Sequence, residues 1–254
     1  MRLTVLGAGP AYTDREGASG AAYLVSEGST RILLDLGHGS FQRIFREAQP
    51  EDVTAVVVSH LHPDHFIDLV PLRHYLRYHL VPPRRVRVLG PGALAARLDA
   101  LHDDRSFTAG ALDTEAIGEG THRIGDLVVR AARVAHTDDS YAIRVVPAAA
   151  ATVDGRSPGL VYSGDCGRAD DLRALIAEGD TLLTEVSFGP GPVPSDVLHL
   201  DGPAVGRLAA STGVARVLLT HIQMGFDPDE TVASVSAAFD GPVSFVWPGT
   251  QLEL

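Results

Sequence analysis

Apolar residues recur along the chain in two rhythms. Short runs rich in Val, Ile and Leu predict strands at Leu3 to Gly7, Ala22 to Val25, Ile32 to Asp35, Val53 to Ser59, Val86 to Leu89 and Leu127 to Val134. The second half repeats the habit at Tyr141 to Val146, Leu160 to Ser163, Thr181 to Glu185, Val217 to Thr220 and Val243 to Val246. Between them the spacing turns helical, in Phe41 to Ala48, Phe66 to His79, Ala93 to Leu101, Leu172 to Ile176, Ala204 to Ala210 and Thr231 to Phe239. Asp227, Pro228 and Glu230 fit an N-cap, a first-turn proline and a capping-box glutamate for the last of these. Strands and helices that mix without strict alternation predict an α/β architecture of the αββα kind, two mixed β-sheets face to face with helices on the outer faces.

The longest biased stretch, Pro147 to Thr152, is mostly alanine and, with Asp154 and Gly155 after it, reads as a loop between two strands. No linker separates independent units, so a single domain over residues 1–254 is expected. Hydrophobic residues at 45% and charged residues at 21% match a soluble globular chain and leave no apolar run long enough for a membrane span. The N-terminus lacks the apolar core of a secretory signal, which places the expected site of action in the cytoplasm.

Cys166 is the only cysteine, so an internal disulfide and a thiolate zinc cage are both excluded. Any metal must be held by histidine and carboxylate. A formal net charge of -11 argues against a surface that wraps a long polyanion, because such binding draws on Lys and Arg. The one basic cluster, Arg84, Arg85 and Arg87, reads as a solvated strand edge. Leu69 to Leu80 carries enough Leu and Tyr to cover a second copy in a homodimer, and core packing explains it equally.

The densest chemistry is His60-Leu61-His62-Pro63-Asp64-His65, directly after an apolar run. A strand that stops in a loop presents its residues at one rim of a sheet. His60 and His62 can then face one cation while Asp64 and His65, turned away by Pro63, face another. A polar surface loop is the alternative, but three His and one Asp in six positions is too dense for a chain with 11 His overall. Imidazole with carboxylate is a ligand set that zinc accepts, and manganese or iron(II) are alternatives.

This motif resembles the HxHxDH signature of the metallo-β-lactamase superfamily, and the later landmarks follow in that family's order: His136, Asp165 and His221, each near the end of a predicted strand. The resemblance covers nearly the whole chain and implies that His60, His62 and His136 hold one divalent ion, Asp64, His65 and His221 a second, and that Asp165 bridges them. Asp35 looks like the family's acid behind a ligand histidine, although a turn-forming Asp before Gly37 is nearly as good an account. His38, His74, His79, His102 and His122 have no comparable context.

Tyr162-Ser163-Gly164-Asp165, with Glu185 and His199, resembles the phosphodiesterase branch, which includes transfer-RNA 3'-processing ribonucleases and cyclic-nucleotide phosphodiesterases. The resemblance implies catalytic roles for Asp64, His199 and Glu185. Two cations about 3.5 to 4 Å apart would lower the pKa of a water between them toward about 7 and make a hydroxide nucleophile. Only Thr137 to Gly164 separates the third and fourth motifs, too little for the ribonucleases' long arm, so a small phosphodiester is the expected substrate and large RNA is disfavoured. A lactone or thioester hydrolase, an armless ribonuclease and a metal-bound scaffold without turnover are the competing expectations. Val5 to Gly9 imitates a dinucleotide-binding start but lacks the third glycine and the helix. Gly7 and Gly9 are instead expected to let substrate approach the backbone, with Tyr12, Ser140, Tyr141 and Phe188 as pocket walls.

Overall fold

The structure is a computed structural model that describes residues 1–151 and 157–254. The expected turn at Asp154 and Gly155 lies outside the described residues. Among the described residues, fourteen strands fall into two sheets of seven. The first contains β1 (Arg2–Gly7), β2 (Ala22–Glu27), β3 (Thr30–Leu34), β4 (Ala55–Val57), β5 (Val86–Gly90), β6 (Leu112–Ala116) and, at its other edge beside β1, β14 (Gln251–Glu253). The second contains β7 (Gly120–Ile124), β8 (Leu127–Arg133), β9 (Tyr141–Pro147), β10 (Leu160–Tyr162), β11 (Thr181–Glu185), β12 (Arg216–Thr220) and β13 (Val243–Phe245), in that order.

Alternation along each strand explains the layering. Ile32 and Leu34 of β3 point inward to a core shared with Leu183 of β11 and Leu218 of β12, while Leu33 faces the opposite way. On the outer face of the first sheet, Leu33, Val56 and Val58 pack against α3 (Leu69–His74) and α4 (Leu94–Leu101), with α1 (Phe41–Ile44) nearby. Outside the second sheet, Leu182, Val217 and Leu219 pack against α5 (Gly202–Thr212) and α6 (Pro228–Ser236). The αββα arrangement follows.

Some expected elements shrink. The helix expected over Phe41 to Ala48 is a single turn, the one over Leu172 to Ile176 is a 3-10 turn at Ala169–Leu172, and the long helix over Phe66 to His79 relaxes into a π-helix at Tyr75–His79. Leu69, Leu72 and Leu76 of that segment are core residues, which accounts for its apolar face. Asp227 caps α6 by accepting from the Asp229 and Glu230 amides. Arg85 pairs with Asp113 and Arg87 with Glu115, so that part of the basic cluster is neutralised across β5 and β6. No helix among the described residues is long and apolar enough to cross a membrane.

Pairing is parallel from β3 through β6 and from β10 through β13. The carboxyl ends of these strands therefore share one rim of the sandwich, the edge where open α/β sheets present ligand sites.

Candidate metal centre

That rim collects the expected ligands. His60 follows β4 and runs extended to His62, after which Pro63 opens the one-turn helix α2 (Pro63–Phe66) and swings Asp64 and His65 to the other side. His136 follows β8, Asp165 follows β10 and His221 follows β12. His221 and Asp35 both adopt left-handed backbone, at φ 56° and 59°. Non-glycine residues hold such conformations at a cost of about 1 to 3 kcal/mol and only where the surroundings fix them. Here the Asp35 amide donates to Val57 and the His221 amide to Ala8.

Two ligand groups result. His60, His62, His136 and Asp165 each bring a ligand atom within 4.8 Å of the others, and Asp64, His65 and His221 form a second set on the same criterion. Asp165 faces both. Its Oδ2 lies 3.8 Å from His60 Nε2 and 3.7 Å from His136 Nε2, and its Oδ1 lies 3.3 Å from His65 Nε2 and 3.5 Å from His221 Nε2.

Proton accounting tests whether cations fit. His136 Nδ1 is 2.8 Å from the Leu198 carbonyl, which can only accept, so Nδ1 carries the proton and Nε2 a lone pair. Ser59 Oγ donates to Asp35 at 2.7 Å, so His60 Nδ1 must donate to Ser59 at 3.1 Å, again leaving Nε2 bare. His60 Nε2 and Asp165 Oδ1 are buried without any hydrogen-bond partner. Such orphans cost about 1 to 3 kcal/mol each. Ring nitrogens also converge in pairs, His62 with His136 at 3.1 Å and His65 with His221 at 3.2 Å. Lone pairs aimed at common points, with no thiolate among them, fit two divalent ions held by imidazole and carboxylate.

Electrostatics agree. Asp35, Asp64, Asp165 and Glu185 are all buried, and this density of carboxylate demands positive charge. Burial opposes the ionisation of Asp64, but its hydrogen bond to His221 and the charge of His65 pull it down to about 2. Burial likewise opposes charge on His65, and Asp165 and Asp35 outweigh it and raise the imidazole well above its ordinary value. For His60 burial wins, helped by neighbouring histidines, and the ring is held well below its usual value.

Residues 30–222 match the family described as the beta-lactamase superfamily domain. The chain belongs to the metallo-β-lactamase superfamily. An uncharacterized protein of Mycobacterium leprae is 31% identical over 100% of this chain and 89% of its own length. A ribonuclease Z of Haloferax volcanii is 23% identical over 100% of this chain and 95% of its own. The crystal structure of the metallo-β-lactamase fold protein YhfI from Bacillus subtilis superposes with a TM-score of 0.86 at 21% identity, covering 100% of this chain and 98% of that one. Membership of the metallo-β-lactamase superfamily makes the protein a metal-dependent hydrolase, and the two ligand groups are where it can hold divalent ions.

Around this superfamily centre, supporting residues lock the rings. Asp35 accepts from the Ser59 amide at 2.6 Å, from His65 Nδ1 at 2.7 Å and from the Tyr162 hydroxyl at 2.6 Å, so it is an orienting acid rather than a mere turn residue. His199 is half-buried, not a solvated helix end, and its Nδ1 lies 2.9 Å from Glu185 Oε1 and 4.0 Å from Asp165 Oδ2. Glu185 is itself held by the Cys166 and Ser187 amides. Burial opposes the His199 charge, but the bond and charge of Glu185, with Asp165 beyond, push its pKa up to about 9.

Phe188 stands 6.1 Å from the His199 ring, as a wall residue should. Ser140 and Tyr141, the other expected walls, are both buried, Ser140 bonding Thr137 and Tyr141 donating to Asp139. Tyr12 is largely exposed. Gly7 makes room for protein rather than substrate, since a Cβ there would meet the Gly20 carbonyl at 1.8 Å. Sequence reasoning passed over Ser187, whose hydroxyl sits 3.2 Å from His221 Nδ1, and assigned no role to Tyr162. Ser187 follows Glu185 by two residues, and that proximity was its only signal. Of the remaining histidines, His102 stacks on Phe107 and His122 donates to Ile117, both structural roles.

Proposed function

We propose that this hydrolase is a phosphodiesterase acting on a small phosphodiester of the cyclic-nucleotide kind. The observation that carries the reading is the Glu185 and His199 pair, aimed at the rim where the two ligand groups meet. Two divalent ions, zinc foremost with manganese or iron(II) as alternatives, would make water nucleophilic near neutral pH and neutralise the phosphoryl oxygens. The chain's own residues do the rest. Asp64 accepts a hydrogen bond from the attacking water and orients it. Glu185 fixes the His199 Nδ1 proton, and the raised pKa keeps a second proton on Nε2 at neutral pH. That proton can be shared with a phosphoryl oxygen or delivered to the leaving oxygen.

The ribonuclease Z relative supports phosphodiester chemistry in this lineage. Against a large RNA stand the net charge of -11 and the short span from Thr137 to Gly164, in which β9 and β10 lie. Lactone or thioester hydrolysis needs no Glu185 and His199 partnership. Metal quantification on purified protein, followed by side-by-side turnover of cyclic nucleotides, a glycerophosphodiester, a lactone and precursor transfer RNA, tests the reading. Cleavage of the small phosphodiesters is expected, and hydrolysis of the lactone alone would overturn it.

A further inference from the structure

A cavity of about 380 Å³ opens beside the metal centre, at the low end of the roughly 300 to 1,000 Å³ of small-molecule pockets. Its walls share backbone with the ligand set. Ala8 and Ile222 line it, the His221 amide donates to Ala8 at 3.0 Å, and Ile222 is the next residue along. The remaining lining that matters is Arg15, Arg43 and Trp247, the only tryptophan in the chain.

The two guanidiniums are the unusual feature. In a chain of net charge -11, neither has a carboxylate partner among the described residues, and Glu16, exposed at the rim, pairs with neither. Arg15 donates to the carbonyls of Ile222 and Phe226 at 3.2 Å each, and Arg43 donates to Gly17. Most of their N–H groups find no acceptor among the described residues. Burial, reinforced by Arg46, holds the Arg43 pKa below its ordinary value. The Arg15 guanidinium lies 5.8 Å from the Trp247 ring centre, and that indole is stacked in turn on Phe245 at 5.4 Å and 18°.

A planar cation backed by stacked aromatic rings is a platform for another flat ring, and its spare N–H groups match ring-nitrogen and carbonyl acceptors. We propose that this cavity is a nucleobase subsite, which takes the base of a nucleotide whose phosphodiester lies at the metal centre. The substrate class rests on the phosphodiesterase reading above; the base recognition rests on the cavity.

Trp247 is its own reporter. Titration of the metal-loaded protein with adenosine or guanosine 5'-monophosphate should change tryptophan fluorescence saturably, and ribose 5-phosphate or inorganic phosphate should act about tenfold more weakly or not at all. Arg43→Met should weaken the nucleotide response about tenfold while metal content and circular dichroism stay as in the wild type. Trp247→Ala should raise KM for a cyclic nucleotide about tenfold more than for a glycerophosphodiester, which has no base. An equal response to inorganic phosphate would make the cavity a plain anion site and overturn the proposal. So would the absence of any fluorescence change in a protein that turns over phosphodiesters. A nucleotide response without phosphodiester turnover would instead keep the subsite and sink the hydrolytic reading.

Discussion

The two ligand groups share Asp165 yet are built differently. Asp64, His65 and His221 are all buried, and their rings are fixed by Asp35 and Ser187. In the other group His62 is exposed and His136 only partly covered, so one side opens to solvent. Similar ligand chemistry is thus placed once inside the protein core and once at its mouth. The difference teaches which part holds and which part exchanges: the inner group resembles a structural site, the outer one the open position that incoming substrate and water need.

Substitutions can break or sharpen that contrast. Asp165→Ala removes the one carboxylate common to both groups and should abolish turnover and lower total metal content; two full equivalents in the purified variant would show that the groups are independent. Asp64→Ala should also abolish turnover, with metal lost from the inner group. His199→Ala belongs to neither group and should keep both metals while kcat falls by about 10² to 10⁴, the scale of general acid-base help. Loss of metal in that variant would move His199 among the ligands.

Smaller effects probe the support of the inner group. Asp35→Asn leaves the shape but weakens the acceptor for His65, and a loss of about 10- to 100-fold in metal affinity or activity is expected. Ser187→Ala removes one neutral hydrogen bond to His221, worth about 0.5 to 1.5 kcal/mol, or roughly two- to twelvefold in affinity for the inner ion. Chelator-driven metal release, followed in time, should show a fast and a slow phase, with both variants accelerating the slow one. A single phase in the wild type would erase the distinction between the groups.

Legibility in the sequence follows the same physics. Strands buried on both faces announce themselves as runs of Val, Ile and Leu. The three strands that went unpredicted, β6, β7 and β14, occupy three of the four sheet edges. Each pairs on one side only, and sequences such as Leu112 to Ala116 and Gly120 to Ile124 are largely exposed and polar, so no apolar signal marks them. Among the site residues, His60 to His65 were readable because one loop carries them all. His136, Asp165 and His221 come from separate strands and were readable only as an ordered set matching a known pattern. Ser187 had only its place two residues after Glu185 to mark it, and the meeting of Arg15 with Ile222 left no trace, because a contact across more than 200 residues has no local signature.

Asp35 extends from the first sheet, and one of its hydrogen-bond donors, Tyr162, belongs to the second. A single carboxylate therefore rivets the layers together at the point where it aims His65. Slippage between the halves would be passed straight to a ring placed to hold the inner ion, so metal leakage becomes an early gauge of a loosening interface. Mild denaturant, or a distant cavity carved between the sheets, should register as metal release while circular dichroism still reports an intact sandwich.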